Sequence, residues 1–189
     1  MKTNKMKLAL LTLCVLVLMP QSASAYKVTD TDAVKLNDDT ILFSITYSFG
    51  FLNRDMMTPI QATFGDALLG SRVSYEMSSA NTPFVAPYAP AIVLSNDENV
   101  TIKDGQYYLP RGKNAEFTLI GLLRLKDTDP KNALQMAITN LPYTTIDGDT
   151  QALSAVLPDQ LKKYVTPTLT LIGNNTISMD QTSIVVGTK

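Results

Sequence analysis

Residues 41–51, ILFSITYSFGF, decide how this chain folds. Ile41, Phe43, Ile45, Tyr47, Phe49 and Phe51 alternate with Leu42, Ser44, Thr46, Ser48 and Gly50. A period of two puts the first set on one face of an extended strand and the second on the other. β-Branched and aromatic side chains suit a pleated, half-buried surface. The stretch therefore predicts a long strand with one strongly apolar face.

The same period recurs outward from it. Val73, Tyr75 and Met77 alternate after the turn signal Gly65-Asp66. Residues 99–102 and 106–109 flank Asp104-Gly105, a dipeptide that tolerates positive φ and closes a two-residue hairpin. Pro110-Arg111-Gly112 turns the chain into residues 116–126, where Phe117, Leu119, Leu123 and Leu125 face one way. Asp129-Pro130-Lys131-Asn132 reads as a turn, and Leu134, Met136 and Ile138 run back. Residues 168–172 and 176–179 form a hairpin about Gly173-Asn174-Asn175, with a last strand at 183–186. Residues 26–37, with sparse apolar side chains and Asp30 and Asp32 interrupting them, read as a weak first edge strand. A tethered arm able to donate a strand to a neighbour is the alternative. Residues 82–90 carry Pro83, Pro87 and Pro90 and read as a crossover, because proline offers no ladder donor. Helix is scarce. Residues 151–156 suggest a turn or two, and residues 158–164 have proline near a helix start and lysines near its end. The expectation is an all-β chain: a two-sheet antiparallel sandwich, immunoglobulin-like in the broad sense, with one or two short connecting helices. The cysteine pair and core tryptophan of true immunoglobulin domains are absent, and a barrel or jelly roll is the alternative.

The chain opens differently. Lys2, Lys5 and Lys7 precede an apolar run at 8–19 that Pro20 ends, and Ala23-Ser24-Ala25 presents small residues for cleavage before Tyr26. Residues 1–25 thus read as a secretory signal peptide, and residues 26–189 as a single β-sandwich domain. The run is short for a membrane anchor. Cys14, the only cysteine, follows Leu13 inside it, which does not suit a lipid-anchor site. Three of the 16 basic residues and none of the 17 acidic ones lie before the cleavage point, so the mature chain carries 13 basic side chains and a net charge of −4. Scattered, mildly acidic charge argues against nucleic acid as a partner. No later apolar stretch is long enough to insert in a membrane. The expected location is secreted, cell-surface or periplasmic. The 164 mature residues can bury enough surface to fold without disulfides.

The mature chain holds no histidine, cysteine or tryptophan. A Ser-His-Asp triad and a thiol nucleophile are therefore excluded, and zinc, copper and haem lose their usual ligands. Two carboxylates acting as acid and base pass this filter, with Glu76, Glu116 and Asp66 as candidates. No catalytic residue and no cofactor are assigned. Asp30-Thr31-Asp32, Asp97-Glu98, Asp127-Thr128-Asp129 and Asp147-Gly148-Asp149 are acidic loop clusters. Turns select such residues for their own geometry, and weak extracellular calcium sites use them too, with Asp147 and Asp149 the better pair. Adjacent Tyr107 and Tyr108 must point to opposite faces of a strand. The outer ring either covers its sheet or stacks on a sugar, with Phe84 and Tyr88 extending the platform.

The leading reading is a non-enzymatic exported protein acting through its surface on a protein or surface polymer, as an adhesion, envelope or assembly subunit that could oligomerise. The alternative is an extracellular ligand-binding module, for carbohydrate and with calcium assistance. A hydrolase using two carboxylates comes third.

Overall fold

The long apolar strand forms as its pattern requires. In the computed structural model, which describes residues 27–37, 39–65, 72–79, 82–83, 91–125, 133–172 and 176–179, it is β2 (Thr40–Phe51). Ile41, Phe43, Ile45, Tyr47 and Phe49 are fully buried, whereas Leu42, Ser44, Thr46 and Ser48 on the other face are half-buried. One edge of β2 pairs antiparallel with β1 (Lys27–Lys35). The other pairs with β10 (Lys113–Arg124), whose far edge carries β7 (Ala91–Leu94). The first sheet is therefore ordered β1-β2-β10-β7.

Two further sheets, with shorter strands, cover its apolar face. The second is built on β5 (Val73–Ser79) and β11 (Leu134–Asn140), which pair antiparallel. Beyond β11 lie β14 (Leu169–Ile172) and β15 (Thr176–Met179). Beside β5 lie β4 (Ala62–Phe64), in parallel, and the two-residue β6 (Thr82–Pro83). The third sheet runs β13 (Thr150–Ala155), β12 (Pro142–Asp147), β3 (Asp55–Pro59), β9 (Gln106–Leu109) and β8 (Thr101–Lys103). The chain passes between these two sheets three times, from β3 into β4, from β11 into β12 and from β13 into β14. Opposite the first sheet they thus form one layer in two segments. Gly121 of β10 lies over Met136 and Met77 of the second sheet. Phe49 meets Tyr143 of the third edge-on and Phe51 meets it tilted, at 5.2 and 5.3 Å between centroids. Phe117 meets Tyr107 at 5.6 Å. One continuous core results.

The layers join along one side. The Val93 N–H donates to the Ile60 carbonyl at 3.1 Å, and Gln61 bridges Ile92. On the opposite side β1 forms an edge. The described residues are thus all-β and mainly antiparallel in layered sheets, with one helical turn, α1 (Pro158–Leu161), which has proline at its start and buries Leu161.

Asp104 and Gly105 both take positive φ, 50° and 72°, as the two-residue hairpin between β8 and β9 requires. Within the segment 26–37, Lys27–Lys35 form β1 in their own sheet, paired from Lys27↔Ser48 to Lys35↔Ile41. Residues 151–156 need correction: they lie in β13 and its exit, with no helical turn. Gly148, at φ 59°, turns β12 back so that Asp147 faces Thr150 and Ile146 faces Gln151, and cross-strand pairing overrides the local preference. The turns at 129–132 and 173–175 and the strand at 183–186 lie outside the described residues, as do residues 84–90 and the segment 1–25.

Candidate functional site on the outer face of the first sheet

The alternation that buries one face of the first sheet also fixes what the other displays. On β10, Ala115, Phe117, Leu119 and Leu123 point inward, so Glu116, Thr118, Ile120 and Leu122 point out. Thr46 lies opposite Thr118, and Leu94 of β7 opposite Thr118 on the other side. Past Leu94 the chain leaves β7 through Ser95, Asn96 and Asp97, which rise beside the sheet. The result is a hollow of about 380 Å³ lined by Thr46, Leu94, Ser95, Asn96, Asp97, Glu116, Thr118 and Ile120.

Its rim is held by local hydrogen bonds. Ser95 Oγ donates to the Glu116 carbonyl at 2.7 Å. The Asp97 carboxylate accepts the Asn99 N–H at 2.9 Å and its Nδ2 at 2.7 Å. The Asn99 N–H, before the other contacts, lowers the Asp97 pKa, with Lys113 adding a favourable charge and partial desolvation opposing them. The Thr46 and Thr118 hydroxyls share a bond of 3.0 Å. Leu94 supplies an apolar wall, and beside it Ile92, 47 % exposed, continues the apolar surface across from Ile120. The hollow thus offers carboxylate and amide acceptors over an aliphatic wall. Ser95 gives its proton to a main-chain carbonyl, and the Asp97 carboxylate is engaged by Asn99.

The candidate hydrolase carboxylates do not meet. Glu76 lies on the outer side of β5, between buried Tyr75 and Met77, and Glu116 on the outer side of β10 in the opposite layer. Asp66 lies outside the described residues.

Tyr107 and Tyr108 point to opposite faces. Tyr107 is a core residue, 8 % exposed, with its hydroxyl donating to the Val93 carbonyl at 3.1 Å. Tyr108 faces outward on the third sheet, its hydroxyl donating to Asp55 Oδ2 at 2.8 Å. Lys103 Nζ sits 3.3 Å from its ring centre, a cation–π contact that occupies one ring face. Asp55 also accepts the Arg111 N–H at 2.8 Å, which more than any other contact lowers its pKa. The Asp55 carboxylate therefore fastens the turn at 110–112 to β3, with the outer tyrosine as its second donor. Phe84 and Tyr88 lie outside the described residues.

Asp147 and Asp149 stand at the exposed β12–β13 turn. Asp147 lines a small hollow with Arg54, Thr145, Thr150 and Ala152. Among the described residues no three acidic side chains gather as a metal site would need. No described helix is long and apolar enough to cross a membrane.

Sequence reasoning missed the hollow although half its signal was present. Glu116, Thr118 and Ile120 are the outward positions of a strand that alternation already oriented. Leu94 and its neighbours could not be placed, because residues 91–94 are too few to display a period. No protein family, curated protein or solved structure matches the chain.

Proposed function

We propose that this chain is a non-enzymatic, exported β-sandwich protein, immunoglobulin-like in the broad sense, acting through the outer face of its first sheet. Residues 1–25 would direct export, and the mature domain would work outside the cytoplasm as an adhesion, envelope or assembly subunit. Its partner would be a protein or a surface polymer. The observation carrying this reading is the pairing of the hollow with the exposed Ile92 and Leu94 beside it. Large apolar side chains next to convergent polar groups are what a recognition surface needs.

The test uses Ile92→Asp with Leu94→Asp, and Leu153→Asp on exposed β13 as control. Saturable binding to the envelope fraction of the producing cells should weaken at least tenfold in the double variant and stay unchanged in the control. Binding absent from the wild type, or equal in all three proteins, would sink the proposal. The carbohydrate reading comes second, favoured by the Asp97, Asn96 and Ser95 acceptors and donors rather than by the tyrosines. It predicts that a soluble sugar competes for the same face. Turnover of a glycoside by the purified protein would instead favour the two-carboxylate hydrolase.

A further inference from the structure

The β1 edge is chemically unusual. Which way its main-chain groups point follows from the ladder. Val93 turns its N–H away from β10, toward Ile60, so Ile92 and Leu94 face β10 and pair with Ile120 and Thr118. Direction alternates along each strand. Gly121 and Leu119 therefore face β2, Ser44 and Leu42 face β1, and Asp32 and Val34 face back. Thr31 and Ala33 are left with their N–H groups pointing off the sheet. Each donor is taken by the preceding aspartate: Thr31 N–H donates to Asp30 Oδ1 at 2.9 Å, and Ala33 N–H to Asp32 Oδ1 at 2.8 Å.

We propose that Asp30 and Asp32 close this edge against a second copy of the chain. An edge strand templates pairing with another strand unless something blunts it. Here the natural occupant is a second β1, because one strand's outward groups satisfy those of its copy about a two-fold axis. Antiparallel pairing that uses both outward residues sets Thr31 against Ala33 of the second copy, and the reverse. It brings Asp32 directly opposite Asp32 of the second copy, in a close pair with Cα atoms about 4.5 Å apart. The carboxylates thus block pairing twice. They occupy the donors it needs, and they repel across its axis.

Analytical ultracentrifugation of the protein, purified as its cells process it, tests this. Asp30→Ala with Asp32→Ala should self-associate at least tenfold more tightly than wild type. Asp30→Asn with Asp32→Asn removes the charge but keeps an amide oxygen for each N–H, and should stay within about threefold of wild type. A folded alanine variant no more associated than wild type would overturn the proposal, and an asparagine variant matching the alanine one would overturn the donor-blocking part. Register is read from Asp32→Cys in an Asp30→Ala background, which should form a disulfide-linked dimer on oxidation; failure to cross-link while associating would rule out this pairing. Should the alanine variant not fold, hydrogen exchange on the wild type decides. Thr31 and Ala33 amides should exchange at least tenfold slower than in an unstructured chain, and unslowed exchange would refute the capping.

Discussion

Tyr47 sits at the centre of the core, stacked on Phe117 at 5.9 Å and tilted against Tyr164 at 5.8 Å, and its hydroxyl finds no hydrogen-bond partner. Burial therefore pushes the phenol pKa up, with Tyr164 and Tyr107 adding to the shift. An unmet buried hydroxyl costs about 1–3 kcal/mol. Tyr47→Phe keeps the ring and should be neutral or stabilising, whereas Phe49→Ala or Phe43→Ala empties a buried site and should cost about 3–5 kcal/mol in denaturant melts. A large loss in Tyr47→Phe would mean that the hydroxyl is satisfied after all. Asp55 gives a pH signature. Its folded pKa lies below the ordinary 3.8, chiefly through the Arg111 N–H, with Tyr108 and the Arg111 charge helping. The unfolded carboxyl takes up its proton first as acid is added. The stabilisation is therefore present above the ordinary value and disappears as pH falls through the lowered one. Asp55→Asn should show a shallower loss of stability than wild type across that acid range, read from melts at stepped pH.

Strand pairing explains what two glycines contribute. A Cβ at Gly50 would run into the Lys113 carbonyl and Asn114 on β10, main chain that cannot step aside. A Cβ at Gly121 would lie 2.6 Å from Met136 Sδ, the end of a flexible side chain. Gly121→Ala should then cost about 1–3 kcal/mol, as overpacking does, and Gly50→Ala more. Equal melts for the two would show that the β2–β10 ladder yields at Gly50. The β12–β13 hairpin bears on calcium: with Asp147 and Asp149 at an exposed turn and no third acidic side chain gathered there among the described residues, chelation should leave the melting temperature unchanged. A rise of several degrees in millimolar calcium, abolished by Asp147→Asn with Asp149→Asn, would reinstate a site there. These elements also mark how far the sequence could be read. The spine β2, the partner β10 and the Asp104-Gly105 hairpin each announce themselves through alternation or turn chemistry. β3 does not, because Met56, Met57, Thr58 and Pro59 are all buried and no polar face contrasts with them. β13 fails in the opposite way, with every side chain from Thr150 to Ser154 exposed. The candidate hollow was half legible for the same reason: β10 showed its outer face, but β7 is a four-residue strand flanked by proline.

At the scale of the molecule, sequence pattern predicts two layers but not that the second is divided, since that depends on where β3 and β11 hand over to β4 and β12. It likewise cannot show that Ile60 and Gln61 fasten the layers on one side while β1 stays at the margin of the other. The register of the spine carries a further consequence, in time rather than space. β2 pairs with β10 from Phe51↔Lys113 to Thr40↔Arg124, separations of 62 and 84 residues. Until residue 113 has left the ribosome, this strand has only β1 for a ladder partner, and until residue 124 the β10 ladder is incomplete. Closing loops of that length before any reward arrives makes folding slow, in milliseconds to seconds for such β topologies. Stopped-flow refolding by dilution from denaturant should show this, and a microsecond phase recovering the full signal would contradict it. A chain that crosses a membrane as an extended thread must not fold beforehand. If residues 1–25 do send it across, the distance between its two best strands is itself a delay that keeps it threadable.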